Sequence, residues 1–237
     1  MTRSESPAKH NVAFAYLGQV DESGKPDFDR AAVGRRARRF FDELWAESDP
    51  WGLDDSDLDQ RRYARQLELL GDRRYGRALE IGCAAGSFTR GLAELCEEIL
   101  AIDISERAIE RARTADSGSH NVSYRVANVM ELDLEREGTW DLVVLTETAY
   151  YLGWLYPMFD LAWLAHSLRG ATSPGGRLLL ANTIGPQESG IMTPWLIHTY
   201  RDLFGHVGYA LEREETMRGT KEAVEFKILM SLFHRER

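Results

Sequence analysis

The segment 78–105, ALEIGCAAGSFTRGLAELCEEILAIDIS, begins as an apolar strand, breaks into small residues and continues as a helix and a second strand. Its small-residue turn contains Gly82 and Gly86, spaced G-x-x-x-G. Dinucleotide-binding folds typically carry three glycines, spaced G-x-G-x-x-G, and bind a pyrophosphate at the N-terminus of the following helix. The different spacing here raises the question of which ligand this turn holds.

Strands and helices alternate along most of the chain, which predicts a mainly parallel sheet covered on both faces. Several strands, such as LVVL and LLL, are uninterrupted apolar runs, as is typical of doubly covered strands. Near the end, two strands joined by the short segment 218–223 predict an antiparallel hairpin. The predicted strands are 77–82, 99–103, 122–127, 140–146, 175–183, 209–217 and 224–233, and the predicted helices are 29–46, 58–70, 87–96, 105–115, 156–169 and 193–204. We therefore predict an α/β protein with a Rossmann-like, doubly wound, seven-stranded sheet, mostly parallel with a C-terminal antiparallel hairpin, plus an N-terminal helical layer.

Composition excludes several classes of function. The net charge of −9 disfavours a nucleic-acid or anionic-membrane partner, because phosphate binding needs a basic surface. The basic run RRARR at 35–39 is interpreted as a solvated helix face, since acidic residues follow it. Two cysteines, Cys83 and Cys96, are too few for a disulfide framework or a zinc site and are expected to be reduced and buried. With no signal-peptide pattern and no apolar run near ~18 residues, we expect a cytoplasmic protein.

Two acidic residues indicate what the turn holds. Ligands of open parallel sheets bind beyond the carboxyl ends of the strands, where the strand order reverses. Glu80 precedes the first glycine, where a carboxylate would repel a pyrophosphate and attract an ammonium. Asp103 ends the next strand, where an acid accepts both hydroxyls of a ribose. An ammonium and a ribose together describe S-adenosylmethionine, and they fit NAD less well.

Further positions are expected to complete this cofactor site. Asn128 ends the third strand, where its amide would meet the adenine edge, and Ile104 would contact the adenine ring. A purely structural alternative stays open, in which the glycines only close a tight turn and Asp103 only caps a helix. The full set of expected cofactor-binding residues is Glu80, Gly82, Cys83, Ala84, Gly86, Asp103, Ile104, Asn128, Val129, Thr146, Trp51 and Arg62.

The chain resembles class I S-adenosylmethionine-dependent methyltransferases and, within that group, the nodulation protein S family. The resemblance covers roughly residues 38–185. It is carried by DPWG (49–52), LEIGCAAGSFT (79–89), IDI (102–104), DLVVLTETAYYLG (141–153) and PGG (174–176). The resemblance implies an N-methyltransferase, since that family methylates the free amine of a de-N-acetylated chitooligosaccharide.

The domain organisation follows from these assignments. Residues 1–30 are polar and predict a flexible extension or a lid. Residues 31–237 are expected to form a single methyltransferase domain. Its parts are N-terminal helices at 31–75, a cofactor-binding core at 76–185, a substrate-covering segment at 186–206 and a terminal hairpin at 207–237.

The strand at 140–146 is expected to present the groups that handle the methyl acceptor. An amine attacks only when it is unprotonated, so a nearby proton acceptor is useful. Glu147 directly follows this strand and is the first candidate for binding the amine and taking its proton. We expect one of Tyr150 and Tyr151 to pack in the core and the other, with Tyr150 as the candidate, to line the site. His198 is a second candidate base, and an alternative role for Glu147 is to cap a helix or pair with an arginine.

The N-terminal layer is expected to close over the methionine end of the cofactor. Trp51 would supply an aromatic surface, and Arg62 would pair with the cofactor carboxylate. Ordinary packing for Trp51 and a surface ion pair for Arg62 are equally open alternatives. We expect no metal ion, because the His, Cys, Asp and Glu residues lack metal-ligand spacing.

Three questions stay open at the level of sequence. The acceptor is expected to be an amino sugar or an aminated natural product, with a hydroxyl of a sugar or another secondary metabolite as the alternative. A non-catalytic cofactor-binding protein is a rival interpretation, disfavoured by the acid at Glu147. The oligomeric state is either a monomer or a homodimer.

Overall fold

The computed structural model describes residues 29–71, 73–185 and 191–236. The expected extension at 1–30 and the first part of the expected substrate-covering segment therefore lie almost wholly outside the described residues. The strands are β1 Tyr75–Ile81, β2 Cys96–Asp103, β3 Val122–Val126, β4 Trp140–Thr146, β5 Thr172–Thr183, β6 Tyr209–Lys221 and β7 Val224–Arg235. The helices are α1 Arg30–Leu44, α2 Asp57–Leu70, α3 Ser87–Leu92, α4 Glu106–Ala115, α5 Ala149–Leu155, α6 Met158–Ala171 and α7 Pro194–His206, with a 3-10 turn at Val129–Glu131.

The strands form one sheet in the order β3-β2-β1-β4-β5-β7-β6, which confirms the predicted fold class. Strands β1 to β5 pair in parallel, whereas β7 pairs antiparallel with both β5 and β6. The order reverses between β1 and β4, so the carboxyl ends of these two strands border the crevice in which such sheets bind ligands. Within the described ranges, every helix is too short or too polar to span a lipid bilayer.

Alternate residues of the strands bury opposite faces of the sheet, because successive side chains of a strand point to opposite sides. Leu79 and Ile81 of β1 pack on one face with α1, α5, α6 and α7. Ala78 packs on the other face with α2, α3 and α4. Glu80 shares this second face and therefore points toward the layer that contains α2 and α3.

The region after the first turn differs from the prediction at the end of its helix. Helix α3 ends at Leu92, whereas the sequence predicted a helix to Cys96. The side-chain amide of Asn121 donates to the carbonyl oxygens of both Ala93 and Cys96, at 2.9 Å each, and holds the chain in an early turn. Cys96 then pairs with Tyr75 as the first residue of β2. Both cysteines are free and buried, as predicted.

Two further differences lie at the crevice. Residues 149–155 form helix α5, which is absent from the helices predicted from the sequence. The connection between β6 and β7 is a two-residue turn at Glu222 and Ala223, both with positive φ, rather than the six-residue segment 218–223. The hairpin is therefore longer than predicted and extends past the last residue pair between β5 and β7, Thr183 with Ile228.

The extended tip of the hairpin packs on helix α2. A Cβ atom on Gly219 would lie only 2.3 Å from Leu58 Cδ1, so this strand and this helix are in direct contact. The tip thereby comes close to the N-terminal end of α2, which borders the crevice.

Candidate active site

The turn after β1 is held against the end of β2 by its backbone. The amides of Gly82 and Cys83 both donate to the carbonyl oxygen of Ile102, at 2.8 and 3.0 Å. Gly82 and Gly86 each have φ of +79°, a region that glycine adopts readily, and Ala84 has φ of +50°. The backbone conformation therefore favours glycine at both positions, and side chains of Thr148 and Tyr124 already occupy the space that a Cβ atom would need.

The turn also lies directly beneath the segment that follows β4. A Cβ atom on Gly82 would lie 2.1 Å from Thr148 Oγ1, which leaves no room for a side chain. The Thr148 hydroxyl donates to the carbonyl oxygen of Thr146 at 2.9 Å or of Ile81 at 3.2 Å. The loops after β1 and β4 are thus in contact, and their functional residues share one site.

Asp103 organises the carboxyl end of β2. Its Oδ2 accepts the amide of Ala84 at 3.0 Å, and its Oδ1 accepts the amide of Ser105 at 2.9 Å. Burial raises the pKa of the Asp103 carboxyl to about 6, although these backbone hydrogen bonds act to lower it. Asp103 therefore fastens the glycine turn to β2, and it remains partly exposed at the edge of the sheet.

Glu80 is a buried acid with an unused oxygen. Its side chain is 3% exposed, and Oε2 has no hydrogen-bond partner among the described residues. Burial raises the pKa of the Glu80 carboxyl to about 7, and the nearby Asp103 carboxylate adds to this rise. An unpartnered carboxyl oxygen is costly in the interior, and a cationic ligand group would relieve that cost.

Glu147 is held in one orientation by groups from three elements. It has φ of +50°, an uncommon conformation for a residue other than glycine. Its Oε1 accepts the amide of Thr183 at 2.8 Å and lies 3.0 Å from Arg62 Nη1. Its Oε2 accepts the hydroxyl of Tyr150 at 3.1 Å. The side chain is 21% exposed, so this fixed carboxylate still faces the crevice.

Asn182 in β5 clamps the strained turn that presents Glu147. This side chain is fully buried; its Oδ1 accepts the amide of Ala149 at 3.0 Å and its Nδ2 donates to the carbonyl oxygen of Leu145 at 3.1 Å. The two backbone groups flank Glu147 on either side. Backbone strain of this kind persists only where the surrounding structure enforces it, and Asn182 supplies that constraint.

The two tyrosines after Glu147 divide their roles. Tyr150 is 5% exposed, and burial raises the pKa of its phenol well above the ordinary value, so it remains protonated and donates to Glu147. Tyr151 is partly exposed and packs edge-on against Phe41 at 5.2 Å between ring centroids. Tyr150 is therefore the buried tyrosine of the pair, with its hydroxyl on Glu147, and Tyr151 is the partly exposed one.

Arg62 contacts two protein carboxylates, which agrees with the ion-pair alternative for this residue, although the pair is buried and not at the surface. Its Nη2 lies 2.7 Å from Asp59 Oδ1, its Nη1 contacts Glu147, and its side chain is 2% exposed. Burial acts to lower the pKa of the Arg62 guanidinium, but Glu147, Asp59 and their neighbours more than offset this, and the pKa lies above its ordinary value. Arg62 is therefore always cationic and serves to orient Glu147.

Asn128 is also occupied within the protein, whereas we expected its amide at the adenine edge. Its Oδ1 accepts the amide of Met130 at 3.1 Å, and its Nδ2 donates to Tyr156 at 2.9 Å and Glu131 at 3.1 Å. A Cβ atom on Gly34 of α1 would lie 2.7 Å from the same Nδ2, so α1 covers this position closely. Asn128 acts here as the N-terminal cap of the 3-10 turn.

The remaining expected cofactor residues lie in different parts of the structure. Val129 is buried and Ile104 partly buried, on the face of the sheet that α1 covers. Thr146 is buried and donates its hydroxyl to Gln66 Oε1 in α2 at 3.1 Å. Trp51 is partly exposed and packs edge-on against Trp45 at 5.6 Å between ring centroids.

His198 lies in α7 and is partly exposed. It makes no hydrogen bond or ion pair with the residues that the structure describes. Nothing in its surroundings orients it toward the crevice, in contrast to Glu147, which three groups hold. In 29–71, 73–185 and 191–236 no cluster of His, Cys, Asp or Glu side chains is arranged to hold a metal ion.

Four residues around the site, Asp59, Gln66, Asn182 and Lys221, were not anticipated from the sequence. Helix α2 points Asp59 and Gln66 inward together with the expected Arg62, and Gln66 is fully buried. Their spacing of three and four residues places them on one helical face, and a polar stripe on the buried face of a helix is a recognisable signal. Asn182 and Lys221 carried no such local signal, since each acts on residues distant in the chain.

Comparison with known proteins assigns the chain to a family. The family model for nodulation protein S (NodS) matches residues 37–158, just over half of the chain. Nodulation protein S of Sinorhizobium fredii is 35% identical over 143 residues, which are 60% of this chain and 63% of that protein. The ubiquinone biosynthesis O-methyltransferase of Xanthomonas euvesicatoria pv. vesicatoria is 27% identical over 150 residues, which are 58% of each chain. The chain thus spans about three fifths of the length of these two curated relatives.

A solved structure agrees with this assignment at the level of the fold. N-methyltransferase NodS from Bradyrhizobium japonicum, in complex with S-adenosyl-L-homocysteine, matches with a TM-score of 0.72 at 24% identity. The match covers 84% of this chain and 98% of that chain. The shared fold extends well beyond residues 37–158.

Proposed function

Because the chain belongs to the nodulation protein S family, we propose that it is an S-adenosylmethionine-dependent methyltransferase that methylates a free amine. The acceptor that we propose is an amino sugar or an aminated natural product. Support for the cofactor and for the amine comes from the similarity to N-methyltransferase NodS, which was solved with S-adenosyl-L-homocysteine. The observation that carries the proposal in this chain is the fixed carboxylate of Glu147 beside the glycine turn that follows β1.

The residues around that turn fit the proposed cofactor. Glu80 has a buried, unpartnered oxygen that suits an ammonium group. Asp103 is partly exposed at the tip of β2 and suits the hydroxyls of a ribose. When bound, S-adenosylmethionine would supply an activated methyl group for an in-line displacement.

Glu147 prepares the acceptor for that displacement. An ammonium cannot attack, so the acceptor must lose a proton as it binds. The Glu147 carboxylate, which Arg62 and Tyr150 hold in place, attracts the ammonium and accepts its proton at Oε2. The partly exposed rings of Tyr151 and Trp51 add a surface that favours a cation before deprotonation. The protein thereby positions and deprotonates the nucleophile.

A hydroxyl acceptor is the second candidate. The similarity to a ubiquinone biosynthesis O-methyltransferase favours it, since that relative matches a similar share of the chain. The same carboxylate can accept a proton from a hydroxyl group, so Glu147 would keep its role. The two candidates differ in the group that the substrate must present.

The decisive experiment offers matched amine and blocked-amine acceptors. The purified chain is incubated with methyl-labelled S-adenosylmethionine and with chitooligosaccharides that carry either a free terminal amine or an N-acetyl group. We expect label on the free amine and none on the acetylated form. Equal labelling of both forms would support the hydroxyl candidate, and labelling of neither would overturn the proposed amino-sugar acceptor.

A further inference from the structure

Charged side chains connect the tip of the β6–β7 hairpin to Glu147. Lys221 Nζ lies 2.6 Å from Asp59 Oδ2. Asp59 Oδ1 lies 2.7 Å from Arg62 Nη2, and Arg62 Nη1 lies 3.0 Å from Glu147 Oε1. The four charges alternate in sign and sum to zero. Lys221 lies outside residues 37–158, which match the family model, so the hairpin adds a group to the site that this match does not include.

The inner members of this charged chain are well buried. Arg62 is 2% exposed and Asp59 11%, while Lys221 and Glu147 at the two ends are 27% and 21% exposed. Removing one partner of a buried ion pair leaves an uncompensated charge, and the remaining groups then rearrange or lose stability. Because Asp59 contacts both residues and is largely buried, removal of the Lys221 charge should change the contact between Asp59 and Arg62.

The contact between Asp59 and the guanidinium of Arg62 uses only one oxygen of Asp59. Nε and Nη2 form one edge of a guanidinium, and a carboxylate can bind both with its two oxygens. Arg65 binds Glu215 in this way, with contacts of 2.5 Å from Nε and 2.7 Å from Nη2. Arg62 contacts Asp59 through Nη2, and its Nε, the other member of that edge, is buried and has no hydrogen-bond partner among the described residues. Asp59 thus binds Arg62 through one oxygen and one nitrogen, and Nε is left without a carboxylate.

Lys221 accounts for this incomplete contact, because it occupies the second oxygen of Asp59. We propose that Lys221 is a positioning residue for methyl transfer: by holding Asp59 Oδ2, it keeps Arg62 directed at Glu147. Without Lys221, Asp59 would bind both Nε and Nη2 and turn the guanidinium away from Glu147. This inference rests on the proposed function of Glu147, since its consequence is the orientation of that carboxylate.

Lys221 also fixes the aromatic side of the crevice. Its ammonium donates to the backbone carbonyl oxygen of Trp51 at 2.7 Å. Lys221 therefore binds both the loop that carries Trp51 and the carboxylate of Asp59. The close packing of Gly219 on Leu58 keeps the hairpin tip at this distance from α2.

The test compares Lys221→Met with Lys227→Met, a matched control that removes an exposed charge from the same hairpin. We expect Lys221→Met to lower kcat by about tenfold, as loss of a supporting contact typically does, with the KM for the cofactor unchanged. Lys221→Arg keeps the cation and should restore most of kcat. Thermal unfolding of each variant, followed by circular dichroism, verifies that the fold is intact. Equal kcat values for Lys221→Met and Lys227→Met would overturn the proposal.

A second substitution separates positioning from general stabilisation. Adding Asp59→Asn to Lys221→Met removes the carboxylate that would capture Arg62, so the double variant should recover kcat relative to Lys221→Met alone. A purely structural role for Lys221 would make the two losses additive. A crystal structure of Lys221→Met gives a readout without catalysis. We expect Arg62 Nε and Nη2 both on Asp59, and an unchanged contact between Arg62 Nη1 and Glu147 would contradict the proposal.

The wild-type protein distinguishes failure of this inference from failure of the proposed function. If wild-type protein methylates an acceptor and Lys221→Met equals its control, only the positioning role is wrong. If wild-type protein transfers no methyl group to any acceptor of the panel, the proposed function fails. The crystal structure of Lys221→Met then still tests the arrangement of Asp59 and Arg62.

Discussion

The two halves of the crevice are built by different means. The cofactor half, around Gly82 and Asp103, is made by backbone conformation within one strand-turn-strand segment. The acceptor half, around Glu147, is made by side chains that come from α2, α5 and the hairpin tip and by the backbone amide of Thr183 in β5. The first half is local in the chain, and the second is assembled from residues up to 162 positions apart.

Because the two halves are built differently, they should respond differently to amino-acid substitutions. The glycine turn after β1 depends on the absence of side chains. A methyl group added at Gly82 would collide with Thr148 and displace the turn. A network of side chains depends on complete sets of partners, so the loss of one contact redistributes the others. Substitutions in the cofactor half should therefore lower ligand affinity, while substitutions in the acceptor half should lower kcat.

Glu147→Gln should give the largest effect and tests the acceptor half. The amide keeps the shape of the side chain but cannot take a proton, so kcat should fall by about 100-fold or more. Calorimetric titration with S-adenosylhomocysteine should show cofactor affinity within about twofold of wild type. Glu97→Gln, at an exposed position of β2, is the control. A parallel fall in affinity and kcat would remove the distinction between the two halves.

Gly82→Ala tests the cofactor half. The new methyl group would lie 2.1 Å from Thr148 Oγ1 at a residue with φ of +79°. Strain of about 2 kcal/mol or more should weaken S-adenosylhomocysteine binding by about 30-fold, measured by calorimetry. Gly118→Ala is the matched control, because a Cβ atom there meets no atom within 4 Å. Wild-type affinity in Gly82→Ala would contradict a backbone-built site.

Asn182→Ala tests whether the two hydrogen bonds of Asn182 maintain the backbone conformation at Glu147. Its side chain satisfies two buried backbone groups, which would lose their partners. We expect the free energy of unfolding, measured by urea denaturation, to fall by about 2 kcal/mol. The value of kcat should fall as well, because the turn would relax. A loss of stability with unchanged kcat would show that the clamp does not position Glu147.

The pH dependence of stability gives the smallest expected effect and probes Glu80. Because its pKa rises from 4.5 in the unfolded chain to about 7 in the folded protein, the folded state binds more protons between these values. Stability therefore falls as the pH rises through this window. Between pH 5.5 and 6.5, wild type should lose about 1 kcal/mol more than Glu80→Gln in urea denaturation.

Glu215→Gln provides the control for this titration. A hydrogen bond from Arg65 lowers the pKa of Glu215, so its contribution is complete above the ordinary value and is lost only as the pH falls below it. Its substitution should leave the slope between pH 5.5 and 6.5 unchanged. Parallel curves for wild type and Glu80→Gln would show that Glu80 does not titrate in this window.

The sequence predicted the sheet and the cofactor turn because both depend on local patterns. Apolar strands, small residues in the turn and acids at strand ends are adjacent in the chain, and the turn's backbone geometry follows from Gly82 and Gly86. Helix α5 was missed because its sequence, AYYLGWL, is short and rich in aromatic residues, which have modest helix propensity. In the structure, α5 ends at Leu155, and Pro157 directly precedes the next helix, α6.

The acceptor half was only partly predictable. Glu147 was found because it follows a strand at the crevice, but its partners lie elsewhere in the chain. Asp59, Arg62 and Gln66 could have been grouped by their helical spacing. Lys221 could not have been grouped with them, because its contact with Asp59 depends on the length and packing of the β6–β7 hairpin. The strands of that hairpin are longer than the sequence predicted.

We propose that Glu80 and Asp103, at the carboxyl ends of neighbouring strands, contact the cofactor at its amino group and at its ribose. A crystal structure of the protein with S-adenosylhomocysteine would show both contacts. We expect the ligand's amino group on the Glu80 side of the Gly82 turn and both ribose hydroxyls within hydrogen-bonding distance of Asp103. A ligand bound elsewhere, or a ribose turned away from Asp103, would show that these two acids do not bind the cofactor.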